Sequence, residues 1–82
     1  MSLVRYFAAA KAAAGVAEDR VPSGTLSNVL AVVRAGRDAR FAQVLGCCAF
    51  LVDGDPVGAR PHGTVLVGDA SVVDCLPPFA GG

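Results

Sequence analysis

Apolar and polar residues at the start of the chain alternate as they do in a β-strand. In L-V-R-Y-F-A, residues 3–8, Val4 and Tyr6 fall on one face of the predicted strand and Arg5 falls on the other. Residues 16–21 predict a second, weaker strand, which ends at a Pro-Ser-Gly turn. The chain therefore begins with two predicted strands.

The strongest helical pattern begins at Thr25. Four apolar residues recur at positions i, i+3, i+4 and i+7 and form a single stripe: Leu26, Val29, Leu30 and Val33. Thr25 is the predicted N-cap, with Ser23 as the alternative, and Gly36 suits the position after the last turn. This segment is the predicted main helix.

Two shorter segments also have helical features. Residues 8–15, A-A-A-K-A-A-A-G, predict either one or two helical turns that end at Gly15 or a hairpin connection. The first of these alternatives is too short to be stable by itself. Asp38 is the predicted cap of a second short helix, whose apolar residues are Phe41, Val44 and Leu45.

The second half of the chain predicts short strands. Residues 48–52, C-A-F-L-V, form an apolar strand, and Asp53-Gly54 predicts a tight hairpin turn after it. Pro56 cannot donate to a strand ladder, so the returning strand is predicted to be short and to lie at an edge. Two further strands are predicted at residues 65–67 and 71–76.

The order strand, strand, helix, strand, strand, strand predicts an α+β fold. We expect a mixed five-stranded sheet packed on one main helix, with the first and last strands side by side in the middle of the sheet. The 82 residues are expected to form one domain, residues 1–76, followed by an extended tail, residues 77–82.

Charge and hydropathy exclude two classes of partner. Seven basic and seven acidic residues give no net charge, and aromatic residues are few, so nucleic acid is not an expected partner. No apolar run approaches the roughly 20 residues of a transmembrane helix, and the first residues lack the order of a signal peptide. We therefore expect a cytoplasmic protein without membrane contact.

Side chains suited to catalysis or metal binding are few. The three cysteines, with the single His62 in a predicted loop, form neither a disulfide framework nor a zinc site. Cys47, Cys48 and Cys75 are therefore predicted to be small, largely buried residues in a reducing compartment. Four aspartates are expected to serve turns and to face water, including the one within the last strand: Asp53, Asp55, Asp69 and Asp74.

The final residues, P-P-F-A-G-G, are the strongest candidate for function. Pro77 and Pro78 stop the last strand and favour an extended path, and Phe79 offers one apolar anchor. Gly81 and Gly82 have no Cβ, so they suit a narrow tunnel into which the terminal carboxylate would be delivered. A carboxylate is a poor electrophile, so we expect activation, for instance as an acyl-adenylate, before sulfur is added. The alternative is a frayed terminus without a role.

The chain resembles the small subunits of molybdopterin synthase, the MoaD-like sulfur carriers, over nearly its whole length. The ending L-P-P-F-A-G-G is the most specific element of the likeness, and residues 4–15, 24–30 and 50–54 resemble the family's first strand, helix start and later hairpin. Asp69-Ala70-Ser71 stands where many members have a D-G-D turn. The chain departs from the family at this turn, because Ala70 adopts positive φ less easily than glycine. The resemblance implies a ubiquitin-like β-grasp fold with a flexible Gly-Gly tail.

The same resemblance implies the chemistry of the tail. An E1-like enzyme would adenylate Gly82 with ATP, and sulfur from a cysteine desulfurase or a rhodanese-like protein would convert it to a thiocarboxylate. The tail would then enter the large synthase subunit, where sulfur passes to cyclic pyranopterin monophosphate, and would bind there through Pro77, Pro78, Phe79, Ala80 and Gly81. Two carriers are expected to bind a dimer of large subunits. Because the large subunits would hold the catalytic side chains, this chain is expected to be no enzyme itself and to bind no permanent cofactor.

Other functions fit the same features. Carriers that supply thiamine, cysteine or other sulfur metabolites resemble this chain in the Gly-Gly end, and Pro77-Pro78-Phe79 favours the molybdenum cofactor among these products. A protein-conjugating modifier would instead join Gly82 to lysines of target proteins. A purely structural interaction domain would not need Gly81-Gly82 at all.

Overall fold

A computed structural model of the chain describes residues 1–78. Within these residues three α-helices, seven short strands and one 3₁₀ turn follow in the order β1 (Ser2–Tyr6), α1 (Ala8–Ala14), β2 (Glu18–Val21), β3 (Gly24–Thr25), α2 (Leu26–Ala35), α3 (Ala39–Gly46), β4 (Ala49–Val52), β5 (Asp55–Pro56), the 3₁₀ turn (His62–Thr64), β6 (Leu66–Val67) and β7 (Val72–Leu76). None of the helices in this part of the chain is both long enough and apolar enough to cross a membrane.

Five of the strands form one mixed sheet, in the order β2-β1-β7-β4-β5. β1 and β7 run parallel, whereas β1 with β2, β4 with β7 and β4 with β5 run antiparallel. The predicted mixed five-stranded sheet, with its first and last strands side by side, is confirmed. A separate two-stranded ladder joins β3 to β6, which the sequence pattern did not predict.

The core contains side chains from the helices and from one face of the sheet. The predicted apolar stripe of α2 is wholly buried, with no side chain more than 3% exposed: Leu26, Val29, Leu30 and Val33. The sheet contributes the alternate residues of its central strands, Val4, Tyr6, Phe50, Val73 and Cys75. The amphipathic helix and the alternating strands thus pack as their periods predict.

Besides the predicted main helix, α2, two shorter helices accompany the sheet: α1 and α3. The alanine-rich stretch is both a helix and the connection between β1 and β2, and Gly15 ends it with a φ of 78°. Asp38 caps α3 by accepting a hydrogen bond from the Phe41 N–H at 2.9 Å. Both helices are too short to be stable alone, so their formation depends on packing, as the complete burial of Ala10 and Phe41 indicates.

The two ends of α2 follow the predicted residues. The Thr25 side chain accepts a hydrogen bond from the Asn28 N–H at 3.2 Å, so Thr25 rather than Ser23 is the N-cap. Gly36 occupies the C-cap with a φ of −100°, a conformation open to other residues. The helix therefore needs the hydroxyl at its start more than it needs the glycine at its end.

Two turns connect the strands at the end of the sheet opposite to the exit of β7. Asp53 and Gly54 have φ values of 53° and 82°, which confirms the tight hairpin between β4 and β5. The Asp53 carboxylate also accepts hydrogen bonds at 2.9 Å from the Ser71 hydroxyl and from the Val72 N–H. The turn at Asp69-Ala70-Ser71 closes without a positive φ at Ala70, so glycine is not required there.

One arginine joins the helical layer to the sheet. The guanidinium of Arg37 lies 4.8 Å from the ring centroid of Phe41 and 5.4 Å from that of Tyr6. Its Nη1 is 2.8 Å from Oδ2 of Asp19, and the Tyr6 hydroxyl donates to the same carboxylate oxygen at 2.7 Å. We call Tyr6, Asp19, Arg37 and Phe41 the Arg37 cluster. It connects β1, β2 and α3 with the end of α2.

The Arg37 cluster shifts two pKa values. Burial, and after it the hydrogen bond to Asp19, raises the pKa of Tyr6 above its ordinary value, so the phenol remains a donor. Partial burial acts to raise the pKa of Asp19, but the hydrogen bonds from Tyr6 and Arg37 and the charge of Arg37 outweigh it. The pKa of Asp19 therefore lies below its ordinary value of 3.8.

Adjacent valines in α2 test the burial of the helix stripe. Val33 is 2% exposed, whereas Val32 is 48% exposed. We expect Val33→Ala to lower the free energy of unfolding by about 2 kcal/mol, because it removes buried methyl groups and leaves a cavity. Val32→Ala should have little effect or be slightly stabilising, because alanine is the better helix former. Equal urea midpoints for the two variants would contradict the assigned face of α2.

The lowered pKa of Asp19 predicts that this carboxylate contributes to the loss of fold stability in acid. Because the folded-state pKa is depressed, its stabilisation is complete above the unfolded-state pKa and is lost as the pH falls through the folded value. We expect Asp19→Asn to melt at a lower temperature than the wild type at neutral pH. Between about pH 5 and pH 2 its melting temperature should fall less steeply than that of the wild type. Asp55→Asn, at an exposed carboxylate on β5, is the control and should follow the wild-type curve.

Candidate functional site

The last described residues, Pro77 and Pro78, follow the central strand of the sheet. β7 pairs with β4 as far as Leu76, which lies opposite Ala49. Neither proline has an N–H to donate, so the ladder ends here, as predicted. Pro77 is half-buried and Pro78 is exposed. The chain thus leaves the sheet from one end of its middle strand.

The other predicted tail residues lie outside the described part of the chain. They are Phe79, Ala80, Gly81 and Gly82. Their roles stay predictions, and so does the boundary between a domain at residues 1–76 and a tail at residues 77–82.

An apolar groove adjoins the point where the chain leaves the sheet. Its volume is about 340 Å³, and its lining comes from α1, from the C-terminal half of α3 and from the two prolines: Ala9, Gln43, Val44, Cys47, Pro77 and Pro78. We call this the α1–α3 groove. It provides an apolar surface beside the first tail residues, on the helical side of the sheet.

The opposite face of the sheet carries an ion pair in its middle. Nε of Arg5 donates to Oδ1 of Asp74 at 2.6 Å, and Nη2 donates to Oδ2 at 3.0 Å, so both carboxylate oxygens are bound. The hydrogen bond with Asp74, and after it the charge of Asp74, raises the pKa of Arg5 above its ordinary value. This ion pair places a fixed, paired charge at the centre of the open face.

Asp74 itself corrects a prediction. The residue is only 7% exposed, so the expectation that it faces water is wrong. The physical reason is the parallel register of β1 and β7, which sets Arg5 directly opposite Asp74. The guanidinium covers the carboxylate and supplies the hydrogen bonds that water would otherwise supply.

Half-buried apolar side chains surround this ion pair on the open face of the sheet: Leu3, Leu51, Val72 and Leu76. The ring of Phe7, a residue 39% exposed, has its centroid 5.8 Å from Cζ of Arg5. Apolar residues around a paired arginine are typical of surfaces that bind another protein. This open face reaches Leu76, so it borders the exit of the tail on the sheet side.

The cysteines do not form a redox or metal site within residues 1–78. All three are free thiols, and no group of metal-ligating side chains is present in this part of the chain. Burial, and after it the neighbouring cysteine, raises the pKa of Cys48 to about 11 and that of Cys75 to about 12. Cys47 is exposed, which corrects the expectation that all three are largely buried.

The remaining polar candidates have structural roles. His62 lies in the 3₁₀ turn between β5 and β6, with its ring edge-on to Phe50 at a centroid distance of 5.4 Å. Asp53 serves the hairpin turn, and Asp69 accepts hydrogen bonds from Ser23 and from the N-terminal ammonium. These side chains therefore serve turns and packing in the described part of the chain.

Two features of the site were missed by sequence reasoning. The α1–α3 groove depends on two short helices that form only when they pack, so no local pattern indicated it. The ion pair did leave a signal, because Arg5 and Asp74 lie on strands that were predicted to be neighbours. A strand register that sets Arg5 opposite Asp74 would have predicted the ion pair.

No protein-family model matches the sequence, and no curated protein matches it either. Solved structures do match. SAMP1, small archaeal modifier protein 1, from Methanosarcina acetivorans is 21% identical and aligns over 99% of this chain and 95% of its own, with a TM-score of 0.82.

Two further matches are described as molybdopterin-converting factors. One is a complex of subunits 1 and 2 of this factor from Helicobacter pylori, with 21% identity, 99% of this chain and 97% of the other aligned, and a TM-score of 0.72. The other is a putative subunit 1 from Pyrococcus furiosus, with 20% identity, 95% of this chain and 97% of the other aligned, and a TM-score of 0.73.

Matches of this extent establish the fold. The chain has the ubiquitin-like β-grasp fold, as its resemblance to the sulfur carriers implied. Its structural neighbours include molybdopterin-converting factor subunits and the small archaeal modifier SAMP1.

The ion pair on the open face provides a further test. Arg5→Ala should lower the urea midpoint, because it leaves the Asp74 carboxylate buried without its partner. Arg5→Leu combined with Asp74→Leu should restore most of the loss, since both charges are removed together. Arg20→Ala, an exposed arginine on the neighbouring strand β2, is the matched control and should leave the midpoint unchanged. A double variant less stable than Arg5→Ala would contradict this reading.

Proposed function

We propose that the protein is a sulfur carrier of molybdenum cofactor biosynthesis and that the carboxylate of Gly82 is its reactive group. The observation that carries the proposal is the segment P-P-F-A-G-G, which follows the central strand of a β-grasp sheet. The likeness of the whole chain to molybdopterin-converting factor subunits supports it. The carrier is a donor within a larger enzyme complex and has no catalytic side chain of its own.

The proposed chemistry begins with activation of the carboxylate. Attack of a Gly82 carboxylate oxygen on the α-phosphorus of ATP forms the acyl-adenylate and releases pyrophosphate. A sulfur nucleophile bound to the activating enzyme, supplied by a cysteine desulfurase or a rhodanese-like protein, then displaces AMP. When the nucleophile is a persulfide, this step forms an acyl disulfide. A second thiol then attacks the donor-side sulfur, which forms a disulfide with the donor and releases the thiocarboxylate of Gly82. ATP is consumed by the activating enzyme, and this chain holds no permanent cofactor.

The thiocarboxylate then serves as the sulfur donor. Inside the large synthase subunit its sulfur attacks cyclic pyranopterin monophosphate, and hydrolysis returns the free carboxylate of Gly82. The high pKa values of Cys48 and Cys75 keep these thiols protonated at neutral pH, so they do not compete as nucleophiles. Gly81 and Gly82 suit this delivery, because residues without a Cβ pass where other residues would collide.

The proposed assembly has two contacts. The tail, from Pro77 to Gly81, enters the large subunit, and the open face of the sheet around Arg5 and Asp74 binds beside the entrance. The complex of subunits 1 and 2 from Helicobacter pylori supports a partner of this kind. Two carriers would bind a dimer of large subunits in the cytoplasm, with the E1-like enzyme as a second, transient partner.

A protein-conjugating modifier is the second candidate function. The likeness to SAMP1, a small archaeal modifier protein, favours it, with a TM-score of 0.82. In this case activated Gly82 would be attacked by a lysine amine rather than by sulfur, and an isopeptide bond would form. Carriers that supply thiamine, cysteine or another sulfur metabolite remain variants of the first function.

The central prediction concerns the mass of the protein. After incubation with its E1-like partner, ATP and a sulfur donor, the intact mass should rise by the difference between one sulfur and one oxygen atom. Fragmentation should place this change on Gly82. The starting protein must be verified to end at a free Gly82 carboxylate, with any purification tag at the N-terminus. An unchanged mass with a partner that activates another carrier would contradict the proposal.

Deletion of Gly82 is the matched variant. It should abolish sulfur transfer and leave the circular dichroism spectrum and the melting temperature unchanged, because the core is built from residues of the domain. Isopeptide-linked products on target proteins, in place of a thiocarboxylate, would favour the modifier. A deletion that unfolds the domain would assign the tail a structural role instead.

A further inference from the structure

The proposed function uses the tail but gives the α1–α3 groove no role. The groove is lined by Ala9, Val44 and the two prolines, with only the amide of Gln43 and the thiol of Cys47 as polar groups. An apolar hollow of about 340 Å³ that stays open to water carries a hydrophobic cost, which falls when a side chain covers it. A side chain that covers the groove would therefore be stabilised there.

We propose that Phe79 occupies the α1–α3 groove in the free protein and that a partner must displace it to reach the tail. Phe79 directly follows Pro78, which itself lines the groove. One residue spans at most about 3.6 Å, so Phe79 begins at the rim. The other residues of segment 79–82 are one alanine and two glycines, and they offer little surface to the groove.

The connection through two prolines favours Phe79 over any separate molecule. Proline fixes φ near −65°, so little chain entropy is lost when the next residue is ordered. A side chain tethered at this distance acts at an effective concentration in the millimolar range. A second copy of the chain, or a partner side chain, must instead overcome the full cost of association.

The inference deepens the proposed function, and its regulatory part rests on that function. With Phe79 docked, only Ala80, Gly81 and Gly82 extend beyond the anchor, a reach of about 10 Å. Six free residues would reach about 20 Å. Docking of Phe79 therefore lowers the affinity of the large subunit for the carrier, by the factor by which the docked form outweighs the free form. Removal of the Phe79 ring raises this affinity.

Tryptophan fluorescence tests the docking directly, because the chain contains no tryptophan. In the full-length Phe79→Trp variant we expect a blue-shifted emission maximum that does not depend on protein concentration. Adding Val44→Asp, which places a charge in the groove, should shift the emission to that of an exposed indole. An exposed spectrum in Phe79→Trp itself, or a blue shift that appears only at high concentration, would overturn the proposal in favour of an empty groove or a second copy.

The thiol of Cys47 gives a second measurement without tryptophan. Cys47 is the exposed cysteine among the three and lines the groove, so docked Phe79 should shield it from a chromogenic disulfide reagent. We expect Phe79→Ala to raise the rate of the fast phase roughly tenfold, as loss of a partly buried aromatic ring implies. Cys47→Ser identifies this phase by removing it. Equal rates in the wild type and Phe79→Ala would contradict the docking.

Deletion of Gly81 and Gly82 separates the two proposals. This variant keeps Phe79, so its Cys47 should react as slowly as in the wild type, although no thiocarboxylate can form at the normal position. Val44→Asp disrupts the groove but keeps the whole tail, so its mass should still change in the activation assay while its Cys47 is unprotected. If the full-length protein fails in sulfur transfer while its Cys47 thiol is still protected, the result counts against the proposed function alone.

Discussion

The position of β7 in the middle of the sheet is the constraint on which the rest of the structure depends. β1 binds one of its edges and β4 binds the other. Its inward side chains, Val73 and Cys75, are fully buried, and its outward Asp74 is held by Arg5. A shift of register by one residue would exchange these two sets of side chains between core and solvent. The end of β7, and with it the starting point of the tail, is therefore fixed.

The exit of the tail separates two surfaces with different chemistry. On the helical side lies the apolar α1–α3 groove, and on the sheet side lies an open face with a paired charge at its centre. The reactive group of the proposed function is a main-chain carboxylate, which needs no activation by neighbouring side chains of this protein. Under the proposed function the domain would contribute position instead, through a rigid base for the tail and a surface for a partner beside it.

The features that could be predicted from the sequence are those that depend on neighbours in the chain. The stripe of α2, the cap at Thr25 and the hairpin at Asp53-Gly54 are local patterns, and each is found as predicted. The burial of Asp74 and the exposure of Cys47 depend on distant segments. The sequence had led us to expect an exposed Asp74 and a buried Cys47, and both expectations were wrong. The groove belongs to this second class, because its walls come from helices separated by the whole of β2, β3 and α2. The roles of residues 79–82 rest on sequence and resemblance alone.

The parallel pairing of β1 with β7 also orders events during synthesis of the protein. Arg5 and Asp74 are separated by 69 positions along the chain, so the middle of the sheet closes only after almost all of the domain has been made. Until then β1 has one free edge and the core is incomplete. The hairpin of β4 with β5 is local in the chain, so it can form before this distant pairing does.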